Sequence, residues 1–250
     1  MATRDEFYTA LQFMTRLPVP DNVEHSDDNF GRSARFYPAV GLVVGGIAAL
    51  VYLVSNFFLP DSVSATLAVI SAVITTGALH EDGLADAVDG LFGGRDRDHA
   101  LEIMRDHQVG VYGILALVFA VILKMTLIAG AWDWSAVWAI VVAHVLSRYA
   151  IAEVIGRYDY ARAESAKFAR PEIQSEDLTY ARLWAGAVVV GSVLLLGPLT
   201  TLAGVVLAAV FASGLAQMCV RKIGGYTGDC LGAVQQVAEI GFLLGALLWA

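Results

Sequence analysis

Charge is scarce in this chain. Only 16 % of its 250 residues are Asp, Glu, Lys or Arg, where an ordinary soluble domain carries about 25 %. Basic residues are the scarcer sign, 16 Lys and Arg against 24 Asp and Glu, for a formal net charge of −8. No basic stripe exists to neutralise a row of phosphates, which argues against nucleic acid as a partner. There are two cysteines, Cys219 and Cys230. Neither has a metal-type spacing, so they read as reduced thiols without a disulfide role. Residues 1–35 are charged and have no early apolar core, so no cleavable signal peptide is expected. No internal repeat or low-complexity tract stands out.

What fills the chain instead is apolar: 57 % of it is hydrophobic. The expectation is an all-α, polytopic membrane helical bundle, a single domain over residues 1–250. A span needs roughly 20 apolar residues to cross about 30 Å of hydrocarbon. Seven segments qualify, near 37–59, 63–79, 110–130, 135–156, 184–197, 200–220 and 231–249. The fifth is short and ends at Gly197-Pro198, so segments five and six can also be read as one broken hairpin.

Lys and Arg gather in residues 1–35, 80–109, 157–183 and 221–230, and are absent near 60–62, 131–134 and 198–199. Cytoplasmic loops collect such residues. Alternation therefore places the N-terminus and every long loop in the cytoplasm, the C-terminus outside, and the chain in the inner membrane. Lys124 and Arg148 escape this pattern, as both lie within spans. Lys124 is expected to snorkel, Arg148 to pair with Glu153, and His144 and Glu153 to be satisfied within the bundle or to line a pocket. Residues 7–20, FYTALQFMTRLPVP, carry Phe7, Ala10, Leu11, Met14 and Leu17 on one helical face and end at prolines. They read as an amphipathic helix on the interface, or one that also roofs a substrate cavity.

Against this poverty of charge, HEDGLADAVDG at residues 80–90 holds four acids and a histidine in eleven positions. Asp82, Asp86 and Asp89 fall at i, i+4 and i+7, one helical face. Carboxylates so close repel unless a cation sits among them, and hard oxygen ligands select Mg²⁺, Mn²⁺ or Ca²⁺. The flanking Leu79, Leu84, Leu91 and Phe92 argue against a freely solvated acidic face, and ionisable groups at membrane depth mark function. Next come Gly93-Gly94 and three phosphate-type cations, Arg95, Arg97 and Arg105. Asp98, Glu102 and Asp106 form a second acidic face that either binds metal or pairs with Arg105. In the last basic loop, Gly224, Gly225 and Gly228 permit a turn whose N–H groups face an anion. Asp229 stands at the mouth of the final span, with Gln235, Gln236 and Glu239 deeper. Residues 147–173 mix aromatic and basic side chains, suited to a nucleotide clamp or a plain membrane-surface loop.

LQFMTRLPVP (11–20), HEDGLADAVDGLFGGRDRDHALEIMRDHQVGVYG (80–113) and GGYTGDCLGAVQQVAE (224–239) resemble, in order, the three signature regions of the cobalamin synthase family, the adenosylcobinamide-GDP ribazoletransferases. The resemblance runs from near the N-terminus to the last span. It implies a Mg²⁺-dependent membrane enzyme of late cobalamin synthesis, joining adenosylcobinamide-GDP to α-ribazole or its 5′-phosphate with release of GMP. The family's motifs fall on His80, Asp82, Gly83, Asp86, Asp89 and Gly90, then on Glu102, Met104, Arg105, Asp106 and Gly110. The last falls on Gly225, Thr227, Gly228, Asp229, Gly232, Gln236 and Glu239. Glu81 departs from the pattern, since the family often has an apolar residue there. The chemistry so implied leads to the expectation that Asp82, Asp86 and Asp89, helped by Asp229, hold one or two Mg²⁺ on the diphosphate, and that Asp89 or His80 accepts the hydroxyl proton. Arg95, Arg105, Glu102, Asp106, Gly225, Thr227 and Gln236 are assigned to substrate or phosphate. A homo-oligomer is compatible with such a bundle. The rival readings are a CDP-alcohol phosphatidyltransferase, whose motif places Arg where Asp86 stands, and a cation-coupled transporter, which would favour acids near the midplane and repeated halves.

Overall fold

A computed structural model describes residues 2–23, 26–106, 108–131, 133–162 and 173–248. Lys167 and Arg170 of the loop read above as a nucleotide clamp lie outside the described residues. The described chain is helical, in eleven α-helices: α1 (Ala2–Met14), α2 (Asp27–Ser33), α3 (Tyr37–Asn56), α4 (Asp61–Thr76), α5 (Leu79–Gly93), α6 (Arg97–Ile103), α7 (Val111–Ala129), α8 (Asp133–Arg157), α9 (Ser175–Leu196), α10 (Pro198–Ile223) and α11 (Gly228–Leu247). A 3-10 turn, Ala34–Phe36, joins α2 to α3.

Six helical stretches are long and apolar enough to cross a membrane, and the pair α4–α5 makes a seventh candidate, bent by 88°. The bend has a local cause. Gly77 and Ala78 both adopt the left-handed conformation, φ 66° and 58°, which ends α4 and starts α5 in a new direction. At about 1.5 Å per residue, α4 is only about 24 Å long, so it does not cross the hydrocarbon alone. The acidic helix α5 is thereby turned aside at the end of α4 rather than continuing it.

The fifth segment is a full helix and not half of a hairpin. α9 begins at Ser175, nine residues before the expected start, because its polar first turn is neutralised. The Asp177 carboxylate accepts Nε and Nη2 of Arg35 at 2.9 and 2.5 Å, and Asp177 also completes a capping box with Gln174. Gly197-Pro198 then separates α9 from α10.

α11 is the axis of the bundle. It packs against α10, α5, α8 and α7, and α3 packs against α8 and α4. Its contact with α10 is close because Gly241 and Gly245 face α10; a Cβ on either would meet the backbone of Leu207 or Ala203 at 2.5–2.7 Å. Close backbone approach through small residues is how helices associate where lipid removes the hydrophobic drive between them. α1 packs on α2, α3 and the 3-10 turn and buries Ala10, Leu11 and Met14. It is part of the bundle wall as well as an amphipathic helix.

Candidate active site at the crossing of two helices

The acids meet where α5 crosses α11. Gly83 and Gly232 face one another there: a Cβ on Gly83 would stand 3.0 Å from the Asp229 carbonyl and 3.1 Å from the Gly232 Cα. With no side chain between them, the helices bring Asp86 within electrostatic reach of Asp229, Asp82 and Asp89. Asp82 is exposed, Asp86 half-buried, and the Asp82 carboxylate has no hydrogen-bond partner among the described residues.

Asp229 is positioned in detail. Thr227 caps α11, accepting from the Cys230 N–H at 3.3 Å, and its own hydroxyl donates to Asp229 Oδ2 at 3.1 Å. Arg162 Nη2 donates to the same oxygen, also at 3.1 Å. Arg162 arrives because residues 159–161 run beside residue 226: the Tyr226 N–H donates to the Asp159 carbonyl and the Ala161 N–H to the Tyr226 carbonyl, each at 2.9 Å. Gly225 is needed for this approach, since a Cβ would collide with the Asp159 carbonyl. Thr227 and Gly225, read from sequence as substrate groups, thus act by shaping and holding the Asp229 turn.

Two concavities adjoin the Arg162–Asp229 pair. A cleft of about 680 Å³ is lined by Arg97, Asp98, Glu102, Arg105, Tyr160 and Arg162, among others. Arg97 is held in place by donating to the Ile223 and Ala161 carbonyls at 3.0 and 2.8 Å. On the Asp229 side, a smaller cavity of about 160 Å³ is bounded by Asp82, Gly83, Leu231 and, from α1, Phe13 and Met14. A third cavity, about 290 Å³ between α8, α10 and α11, is walled by alanines of α10 and by Tyr149, Glu153 and Arg157 of α8, among others. None of the clustered aspartates touches it, so it is not where their chemistry occurs.

Several expected site residues stand elsewhere. Asp89 is buried beneath the start of α7, where its carboxylate accepts the N–H groups of Gly110 at 2.7 Å and Gly113 at 2.9 Å. An anion at a helix N-terminus satisfies orphan donors and the helix dipole, so Asp89 works as a cap, with each carboxylate oxygen committed to one backbone N–H. His80, by contrast, keeps its place: its buried ring lines the smaller cavity together with Asp82 and Asp229, and its Nε2 has no hydrogen-bond partner among the described residues. Arg95 is exposed and absent from the cleft lining, while Asp106 accepts the Gln108 N–H at 3.1 Å. Among the described residues no group of three acids, histidines or cysteines already surrounds one point as a metal cage.

Sequence reasoning missed two things. Arg162 was not singled out, although it lies in the 147–173 stretch of aromatic and basic residues read as a nucleotide clamp or a membrane-surface loop. The second is a polar chain inside the bundle. Lys124 does not snorkel: it is 2 % exposed, donates to Gln236 Oε1 at 2.9 Å, and lies 3.5 Å from both Glu81 and Glu239. Arg148 pairs with Glu239 at 3.5 Å and not with Glu153, which binds Arg182 at 2.7 Å and Tyr149 at 2.7 Å. His144 Nδ1 also approaches Glu239, at 3.2 Å. Lone cations inside two spans were the available signal.

A profile of the family described as cobalamin-5-phosphate synthase matches residues 6–247. An adenosylcobinamide-GDP ribazoletransferase of Shewanella amazonensis is 41 % identical over 98 % of this chain and 95 % of its own length. The Ralstonia pickettii protein of that name is 39 % identical over 97 % of this chain and 94 % of its own, and that of Shewanella woodyi 39 % over 94 % and 92 %. No solved structure matches. The matched span includes α5, the arginine cleft and the Asp229 turn, and the chain belongs to the cobalamin-5-phosphate synthase family of membrane transferases acting at the final stage of cobalamin synthesis.

Proposed function

We propose that the chain transfers the adenosylcobinamide-phosphate group from adenosylcobinamide-GDP to a ribose hydroxyl of α-ribazole, or of its 5′-phosphate, and releases GMP. The observation that carries this reading is the glycine-to-glycine crossing of α5 and α11. It sets Asp82 and Asp86 beside Asp229, with an arginine cleft on one side and a smaller cavity on the other.

Mg²⁺ fits this donor set. It usually takes one or two carboxylates, keeps several waters, and completes its shell from substrate phosphates, so a closed protein cage is not required. The repulsion among Asp82, Asp86 and Asp229 favours a cation. These three residues would hold the ion, which supplies charge neutralisation on the diphosphate oxygens. The rest is done by the chain itself. Arg105 and Arg162 line the cleft as donors for phosphate oxygens, where positioning and electrostatics dominate phosphoryl transfer. Arg162 is oriented by Asp229, so the acid and the cation are set by one turn. The hydroxyl attacks phosphorus, the bond to the GMP oxygen breaks, and the hydroxyl proton leaves by the open side, where Asp82 meets solvent.

The basic loops support a cytoplasmic site, since they converge on one end of the bundle. Lys222 Nζ donates to the Gly94 carbonyl at 2.6 Å, and Arg97 reaches both the 161 and 223 carbonyls. The positive-inside rule puts that end in the cytoplasm. The test is to incubate purified protein with adenosylcobinamide-GDP, α-ribazole and Mg²⁺. GMP and a corrinoid product should appear together and vanish with EDTA; neither product with all components present would refute the proposal.

A further inference from the structure

Glu81 lies in the acidic motif but does not face the other acids of that motif. It points into the bundle. Its Oε1 accepts Gln236 Nε2 at 2.9 Å and lies 3.5 Å from Lys124 Nζ. Gln236 in turn accepts Lys124 at 2.9 Å and donates to Gln235 Oε1 at 2.8 Å. Gln235 continues the chain to Ser147 Oγ at 3.0 Å and to Glu239 Oε2 at 2.6 Å. One polar chain therefore links α5, α7, α11 and α8, and Glu81 is where α5 is tied into it. The next residue along α5 is Asp82, and Gly83, the crossing point with α11, follows.

We infer that Glu81 is a positioning residue: through Gln236 and Lys124 it fixes the rotation of α5 against α11, and so the spacing of Asp82 and Asp86 from Asp229. The inference rests on the reaction proposed above. It accounts for an acid beside the cluster that is not one of its cation ligands. A helix crossing made of two glycines has no interdigitating side chains to resist rotation at that point, and a hydrogen-bonded tether one residue away supplies the resistance. Groups that orient metal ligands are worth about 10–100-fold in metal affinity or activity.

The Glu81 Oε2 atom is buried without a hydrogen-bond partner. Glu81→Gln therefore keeps the Oε1 acceptor and places its amide where no bond is lost. Glu81→Ala removes the tether. Because it leaves Lys124 with Glu239 alone, the double variant Glu81→Ala/Lys124→Met serves as the charge-balanced form for the case in which the single variant fails to fold. Two readouts are taken on each folded protein in detergent: Mn²⁺ binding by electron paramagnetic resonance, and turnover against Mg²⁺ concentration. Glu81→Ala and the double variant should bind Mn²⁺ about 10–100-fold more weakly and need correspondingly more Mg²⁺, with Glu81→Gln close to wild type in both. Unchanged Mn²⁺ affinity in the variants that lack the tether overturns the inference, as does an activity loss that only tracks the folded fraction. If wild-type protein binds Mn²⁺ but makes no GMP, the proposed reaction fails while the positioning role is still read from Mn²⁺ affinity.

Discussion

Asp89→Asn separates a structural aspartate from a reacting one. The carboxylate of Asp89 accepts two backbone N–H groups at the start of α7, at 2.7 and 2.9 Å, and is 6 % exposed. Asparagine offers one oxygen. Its NH₂ group would face the second N–H, leaving a buried donor unpaired at a cost of about 1–3 kcal/mol. Loss of the negative charge at the helix N-terminus removes up to about 2 kcal/mol more in a buried setting. A destabilisation of about 1–5 kcal/mol follows. It is to be measured as the shift in the unfolding midpoint of the purified protein in detergent, beside Asp82→Asn as the control on the same helix. Asp82 is exposed and without a hydrogen-bond partner among the described residues, so its substitution should leave the midpoint unmoved. Turnover per folded molecule should show the opposite order, with Asp82→Asn severely impaired and Asp89→Asn retaining most of its activity. A stable Asp89→Asn protein with no turnover would place Asp89 at the reacting atoms and refute the assignment as a cap.

Three further outcomes are expected. Gly83→Ala drives a methyl to 3.0–3.2 Å from the Asp229 and Gly232 backbone; overpacking costs about 1–3 kcal/mol, and the separation of α5 from α11 should lower turnover far more than the unfolding midpoint. Lys124→Met leaves Glu81 and Glu239 buried with less countercharge and should cost about 3–5 kcal/mol; Lys124→Met/Glu81→Gln, which leaves Glu239 with Arg148, should recover part of that, and no recovery would show that the charges do not compensate one another. Arg162→Ala should raise the KM for the GDP-linked substrate in steady-state assays while α-ribazole saturation changes little; equal effects on both would remove Arg162 from the cleft side of the reaction.

Much of this molecule was legible in its sequence. Apolar runs mark where lipid must be met, and the candidate spans agree in number with the expectation once α4 and α5 are taken as one bent pair. α9 was read short because hydropathy sees Asp177 as polar, whereas Arg35, 142 residues away, neutralises it. The acidic helix announced itself through four acids and a histidine in eleven positions. Its angular arithmetic does place Asp82, Asp86 and Asp89 on one face, but a helical wheel has no knowledge of the α7 N-terminus that covers the far end of that face. Arg162 and the Lys124 chain are contacts across dozens of residues, and a single sequence contains no record of distance between them.

The bond between Asp89 and the first turn of α7 closes residues 89–113 into a ring, and Arg97 and Lys222 pin that ring to the neighbouring loops. Fastened at its neck and at two points along its length, that ring is tied to the body of the bundle among the described residues. On the proposed reaction, the wall of the cleft that carries Arg105 would stand ready before a substrate reaches it.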